Sequence, residues 1–146
     1  MNELGDLYQE MILEHYKSPR NFGVVPDATR AAHGDNPLCG DKIAVTLKMK
    51  GDLIEDVKFK GSGCAISTAS ASLMTEAVKG KTKPQVEGLF DRFHRMVTGS
   101  GSAEGLDKLE VFSGVSEFPV RVKCASLAWH TLKAALEGTQ DTVSTE

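Results

Sequence analysis

The stretch Ile43-Ala44-Val45-Thr46-Leu47-Lys48-Met49-Lys50-Gly51-Asp52, continued by Val57-Lys58-Phe59-Lys60-Gly61-Ser62-Gly63-Cys64, decides the fold. Ile43, Val45, Leu47 and Met49 alternate with Ala44, Thr46, Lys48 and Lys50; past the Gly51-Asp52 turn, Val57 and Phe59 alternate with Lys58 and Lys60. A period of two sends one set of side chains into a core and the other into water, so the segment reads as an antiparallel hairpin with one wet face. After Gly61-Ser62-Gly63 the period changes. Ile66, Ala69, Leu73 and Ala77 form one helical stripe that stops at Gly80, with Cys64 at its start.

Working toward the N-terminus, residues 21–38 are rich in Gly, Pro, Asn and Asp and read as loop, with at most a short strand near 29–33. Before them Leu4, Leu7, Tyr8, Met11, Ile12 and His15 share one face of an amphipathic helix that ends near Ser18-Pro19. Toward the C-terminus, Thr82-Lys83-Pro84-Gln85 has capping-box spacing ahead of Val86, Leu89, Phe90, Phe93 and Val97. A loop over 98–105 and a short amphipathic piece over 106–112 lead to a last helix near Pro119, whose stripe carries Val120, Cys124, Leu127, Ala128, Leu132 and Ala135. The expectation is an α+β fold: a small antiparallel sheet of about three strands packed against N-terminal and C-terminal helices. One domain covers residues 1–137, and the polar segment 138–146 is expected to be a flexible tail.

A chain of 146 residues with 40% hydrophobic content holds one core. It has no run of about 20 apolar residues, and its N-terminus is acidic where a secretory signal is basic, so a cytoplasmic protein is expected. A net charge of -3 without basic runs leaves neither nucleic acid nor a membrane as an expected partner. Three cysteines at 39, 64 and 124 are too few and too scattered for a disulfide framework, which leaves structural thiols, a catalytic thiolate or a metal site built from distant segments.

Each cysteine has a bland reading beside a chemical one. Cys39 and Asp41 flank Gly40 in a turn; residues two apart in extended chain point the same way and can approach one ion, or they can simply pack and cap. Cys64 at a helix start sits where free amides and the helix dipole favour a thiolate, although a helix start also tolerates cysteine without purpose. Cys124 on an apolar stripe reads, taken alone, as a core cysteine. No pair has C-x-x-C spacing. The shared feature is that all three thiols lie at or near element starts that can converge on one sheet edge. His15, His94 and His130 read as packing or surface residues. His33 lies near enough to the Cys39 turn to orient a ligand, and a Cys-His nucleophile pair is the one enzymatic alternative the histidines leave.

These residues together resemble a known family, the U-type iron-sulfur cluster assembly proteins IscU and SufU. The resemblance is carried by Ser18-Pro19-Arg20-Asn21-Phe22-Gly23, by Asn36-Pro37 with Cys39-Gly40-Asp41, by Phe59-Lys60-Gly61-Ser62-Gly63-Cys64-Ala65-Ile66-Ser67, and by Arg121-Val122-Lys123-Cys124-Ala125 with Leu127-Ala128-Trp129. Two departures resemble the SufU branch. Lys123 stands where scaffold-type IscU has a histidine, and Glu117-Phe118-Pro119-Val120-Arg121 replaces the Leu-Pro-Pro-Val-Lys stretch read by an Hsp70-type chaperone; the segment from Cys64 to Cys124 is also longer.

The resemblance implies a SufE/IscU-like fold and a metal held by Cys39, Asp41, Cys64 and Cys124. It implies sulfur acceptance as a persulfide from a SufS-type cysteine desulfurase, and delivery to downstream iron-sulfur assembly proteins or apoproteins. The metal is zinc in a sulfurtransferase-like acceptor that is not a stand-alone enzyme. In a scaffold the same residues hold iron or a 2Fe-2S cluster, and a structural zinc module is the third reading. Cys39, the one thiol in a loop, is the expected sulfur acceptor.

Overall fold

The computed structural model describes residues 3–37, 39–138 and 143–144. Its elements run α1 (Glu3–Lys17), β1 (Arg30–Asn36), β2 (Asp41–Lys50), β3 (Leu53–Ser62), α2 (Ala65–Val78), α3 (Lys83–Val97), a 3-10 stretch (Asp107–Glu117), α4 (Pro119–Leu136) and β4 (Val143–Ser144). The sheet order is β3-β2-β1-β4, with β1-β2 and β2-β3 antiparallel and the two-residue β4 parallel to β1. This is the expected α+β arrangement of three long antiparallel strands and packed helices.

The hairpin forms as its alternation dictates. Ile43, Val45, Leu47, Val57 and Phe59 are buried and Lys60 is exposed, with a register shift between Lys48 and Met49. Helices α2 and α4 cover the buried face and pack on each other, α1 lies on α2, and α3 lies on α4 and the 3-10 stretch. Trp129 of α4 stacks on Phe93 of α3 at 4.6 Å between ring centroids, and Phe93 meets Phe112 edge-on, which ties the C-terminal half into the same core. Thr82 and Gln85 form the expected reciprocal cap of α3.

Three boundaries differ from the sequence reading. Strand β1 spans seven residues, continuing through Gly34, Asp35 and Asn36, because pairing with β2 satisfies a backbone whose residues have low strand propensity. The piece expected over 106–112 extends as a 3-10 stretch to Glu117. In the segment 138–146, Gly138 is described and Val143–Ser144 pairs with Gly34 and Asp35; the rest of the proposed tail lies outside the described residues.

Candidate metal centre

The turn between β1 and β2 carries Cys39, whose N–H donates to the carbonyl of Asn36 at 3.2 Å. Gly40 follows with φ of 72°, a left-handed conformation that glycine adopts freely, and it delivers the chain into β2 at Asp41. Asp41 faces Asn36 across the ladder, and neither exposes any surface. Buried polar groups persist where they have partners, and those of Asp41 are clear. Its Oδ1 accepts the N–H of Cys64 at 2.8 Å and its Oδ2 accepts the Cys64 thiol at 3.7 Å. Gly63 makes room for this. A β-carbon there would stand 2.5 Å from Asp41 Oδ1.

Cys64 is the N-cap of α2, and its sulfur accepts the N–H of Ser67 at 3.4 Å. Cys124, in the second turn of α4, is buried; its thiol donates to Cys39 Sγ at 3.3 Å and lies 3.8 Å from Nδ2 of Asn36. Two strand ends, one turn and two helices therefore bring their polar groups together.

Cys39, Asp41 and Cys124 each offer one ligand atom, and these atoms lie within 4.8 Å of one another. Cys64 is tied to the group through Asp41 but stands outside that mutually close set among the described residues. The donor chemistry fits a metal. Two sulfurs bound tetrahedrally at about 2.3 Å from one zinc would be about 3.8 Å apart, a short outward step from the 3.3 Å between Cys39 and Cys124. Thiolate-rich sets with one carboxylate suit zinc or iron.

Electrostatics separates the thiols. Cys64 is lowered to about 7, first by the neighbouring Cys124 thiol and then by the amides of Ser67 and Ile66, against burial and the charge of Asp41. Cys124 is pushed far up by the neighbouring Cys64 sulfur and by burial, and its hydrogen bond to Cys39 acts in the same direction.

The histidines lie elsewhere. His33 is on the exposed face of β1, away from Asn36 and Asp41 on the buried face, so the orienting role considered for it is not supported. His15 is buried against Ser72, and His94 and His130 pack with Phe90. No histidine joins the cysteine group among the described residues, which removes support for a Cys-His nucleophile pair. Sequence reasoning passed over Asn36, Gly63 and Ser67. Asn36 looked like a turn residue before Pro37, and the signal that could have raised it is its place three residues before Cys39.

Residues 7–144 match the NifU-like N-terminal domain family. The chain belongs to that family. Among its relatives is the zinc-dependent sulfurtransferase SufU of Bacillus subtilis, 45% identical over 132 residues that cover 89% of each chain. The iron-sulfur cluster assembly scaffold protein IscU of Streptococcus pyogenes is 42% identical over 139 residues, covering 94% of this chain and 87% of that one. A crystal structure of a protein proposed as an iron-sulfur cluster assembly scaffold for the SUF system, from Fervidobacterium islandicum, superposes with a TM-score of 0.83 at 37% identity over 87% of this chain and 94% of that one. The family match spans β1, β2, α2 and α4, the elements that surround the cysteine group.

Proposed function

We propose that this protein is a zinc-dependent sulfur acceptor in iron-sulfur cluster assembly, working with a SufS-type cysteine desulfurase and passing sulfur to downstream assembly proteins or apoproteins. The observation that carries the reading is the convergence of Cys39, Asp41 and Cys124 within 4.8 Å, with Cys64 bonded to Asp41. The likeness to a zinc-dependent sulfurtransferase supports the choice of metal. Cys39, Asp41, Cys64 and Cys124 would hold the ion. When bound, zinc would keep the thiols deprotonated at neutral pH without redox chemistry of its own.

The chain's own residues do the rest. Cys64 and Cys124 are fixed on helices and Asp41 on a strand, whereas Cys39 stands in a turn with a partly exposed side chain, so it can turn toward a partner at the lowest conformational cost. Its thiolate attacks the outer sulfur of the desulfurase persulfide. A new S–S bond forms on Cys39, the old one breaks, and the desulfurase cysteine leaves as a thiolate, with no net oxidation. Residues 1–137 act as one unit. Three unpaired thiols suit the reducing cytoplasm, and no helix among the described residues is long and apolar enough to cross a membrane.

The test is mass spectrometry after incubation with desulfurase and free cysteine. One added sulfur on Cys39, lost in Cys39→Ser, is expected; added sulfur confined to Cys64 or Cys124 would overturn the assignment. The likeness to an IscU scaffold supports a second reading, in which a 2Fe-2S cluster is the cargo and Asp41 its weakest anchor. A stable, transferable cluster that forms in the presence of equimolar zinc would favour it.

A further inference from the structure

Asn36 is a carboxamide with no exposed surface beside the Cys124 thiol, and only half of it is used. Its Nδ2 lies 3.8 Å from Cys124 Sγ, while its Oδ1 has no hydrogen-bond partner among the described residues. An apolar side chain of the same size would fill this place at the end of β1 without stranding a buried acceptor. The orientation is also informative. Turning the amide over would aim its oxygen at the sulfur, which repels a thiolate, so the N–H side faces Cys124 wherever that sulfur carries charge.

We infer that Asn36 is a positioning residue for the metal-thiolate centre: it donates an N–H···S hydrogen bond to Cys124 and thereby directs electrophiles to Cys39. The inference rests on the proposed metal reading. A hydrogen bond drawn to a metal-bound thiolate takes charge off the sulfur, lowering its basicity and its nucleophilicity. Among the described residues Cys39 has no such donor; the hydrogen bond to its sulfur comes from the Cys124 thiol, and that proton is lost when both sulfurs bind a metal. Of these two neighbouring sulfurs, the one damped by Asn36 is held and the other reacts once both are thiolates. The role is exerted through Cys124, and Asn36 itself touches no substrate.

The test has two arms and neither relies on sulfur transfer. In the wild-type protein loaded with NMR-active cadmium, one Asn36 side-chain amide proton should show scalar coupling to the metal across the N–H···S bond. In Asn36→Leu, the thiolate-to-metal absorption of the cobalt-loaded protein should shift to lower energy. Limited alkylation of the zinc-loaded variant, mapped by mass spectrometry, should rise at Cys124 to rival Cys39, whereas the wild type reacts first at Cys39. A purely structural Asn36 would alter folding but leave the order of alkylation alone. Should Asn36→Leu fail to fold, the wild-type coupling decides. Full cadmium loading without coupling to Asn36, or a folded Asn36→Leu with unchanged absorption and labelling order, overturns the inference and leaves the metal reading standing. Failure of the wild-type protein to develop thiolate-to-cadmium absorption overturns both.

Discussion

Asn36 and Asp41 stand directly opposite each other at the end of the β1-β2 ladder, and both side chains are shut off from solvent. A position where a sheet would ordinarily bury apolar side chains is given to an amide and a carboxylate. Asn36 reaches the sulfur of Cys124, and Asp41 holds both the N–H and the thiol of Cys64. The strand pair is therefore a polar floor that links the two helix-borne thiols to the Cys39 turn.

Asp41 serves the fold as well as the site, and the two roles separate by substitution. Asp41→Ala strands the Cys64 N–H, and hydrogen bonds to charged groups contribute about 1.5–3 kcal/mol; urea unfolding of the metal-free variant should show a loss of that order. Asp41→Asn keeps an acceptor oxygen for the amide and should lose less stability, yet it should bind zinc more weakly in a competitive chelator titration. Equal zinc affinity in wild type and Asp41→Asn would contradict a ligand role for the carboxylate.

Gly63 is retained for space. A methyl group there meets Asp41 Oδ1 at 2.5 Å, so Gly63→Ala must displace the carboxylate from its hold on Cys64. Zinc affinity should fall at least tenfold while circular dichroism shows a folded chain. An alanine variant with unaltered affinity would mean that the carboxylate position is not critical.

Thiol reactivity should depend on the metal. In the metal-free protein Cys64, lowered to about 7, becomes a thiolate as pH rises through neutrality, while Cys124 stays protonated well beyond it. Pulse labelling with iodoacetamide should therefore reach Cys64 first, with a half-rise near pH 7 that lies below the ordinary value of about 8.5. In the zinc-loaded protein Cys39 should lead. The same order of labelling in both forms would rule out the metal as what selects the nucleophile.

His15 ties α1 to α2. Its Nδ1 lies 2.7 Å from the Ser72 hydroxyl, which also accepts the N–H of Arg20, and its Nε2 is 3.7 Å from a Glu76 oxygen. Burial, aided by Arg20, lowers the affinity of this imidazole for a proton against the pull of Glu76 and Glu14. The unfolded chain then binds the proton more readily, so stability is present above about pH 6.5 and falls as pH drops below it. His130, lowered chiefly by burial, acts in the same direction. His15→Gln should flatten, without abolishing, the loss of urea resistance between pH 7 and pH 5; an unchanged slope would show that His15 does not contribute.

The hairpin, the helix that opens at Cys64 and the capped α3 were legible because each is set by local periodicity or by a cap. The end of β1 was not. Gly34, Asp35 and Asn36 have the composition of a loop, and only the pairing offered by β2 makes them strand. The same blindness hid the floor of the site. Asn36 and Gly63 act through contacts with residues far away in sequence, Cys124 and Asp41, and neither leaves a periodic trace. The cysteines were visible as candidates because thiols are rare in this chain. Their mutual distance, and the position of Cys64 on the far side of Asp41's reach rather than inside the closest trio, belong to tertiary packing alone.

In the proposed centre three sulfurs and one carboxylate oxygen hold one metal ion. Zinc-edge X-ray absorption on protein purified without added metal tests it most directly. A first shell of three sulfurs at about 2.3 Å and one oxygen at about 2.0–2.2 Å, at close to one zinc per chain, is the predicted result. A shell of two sulfurs completed by nitrogen or oxygen, leaving Cys64 uncoordinated, would contradict the four-residue site.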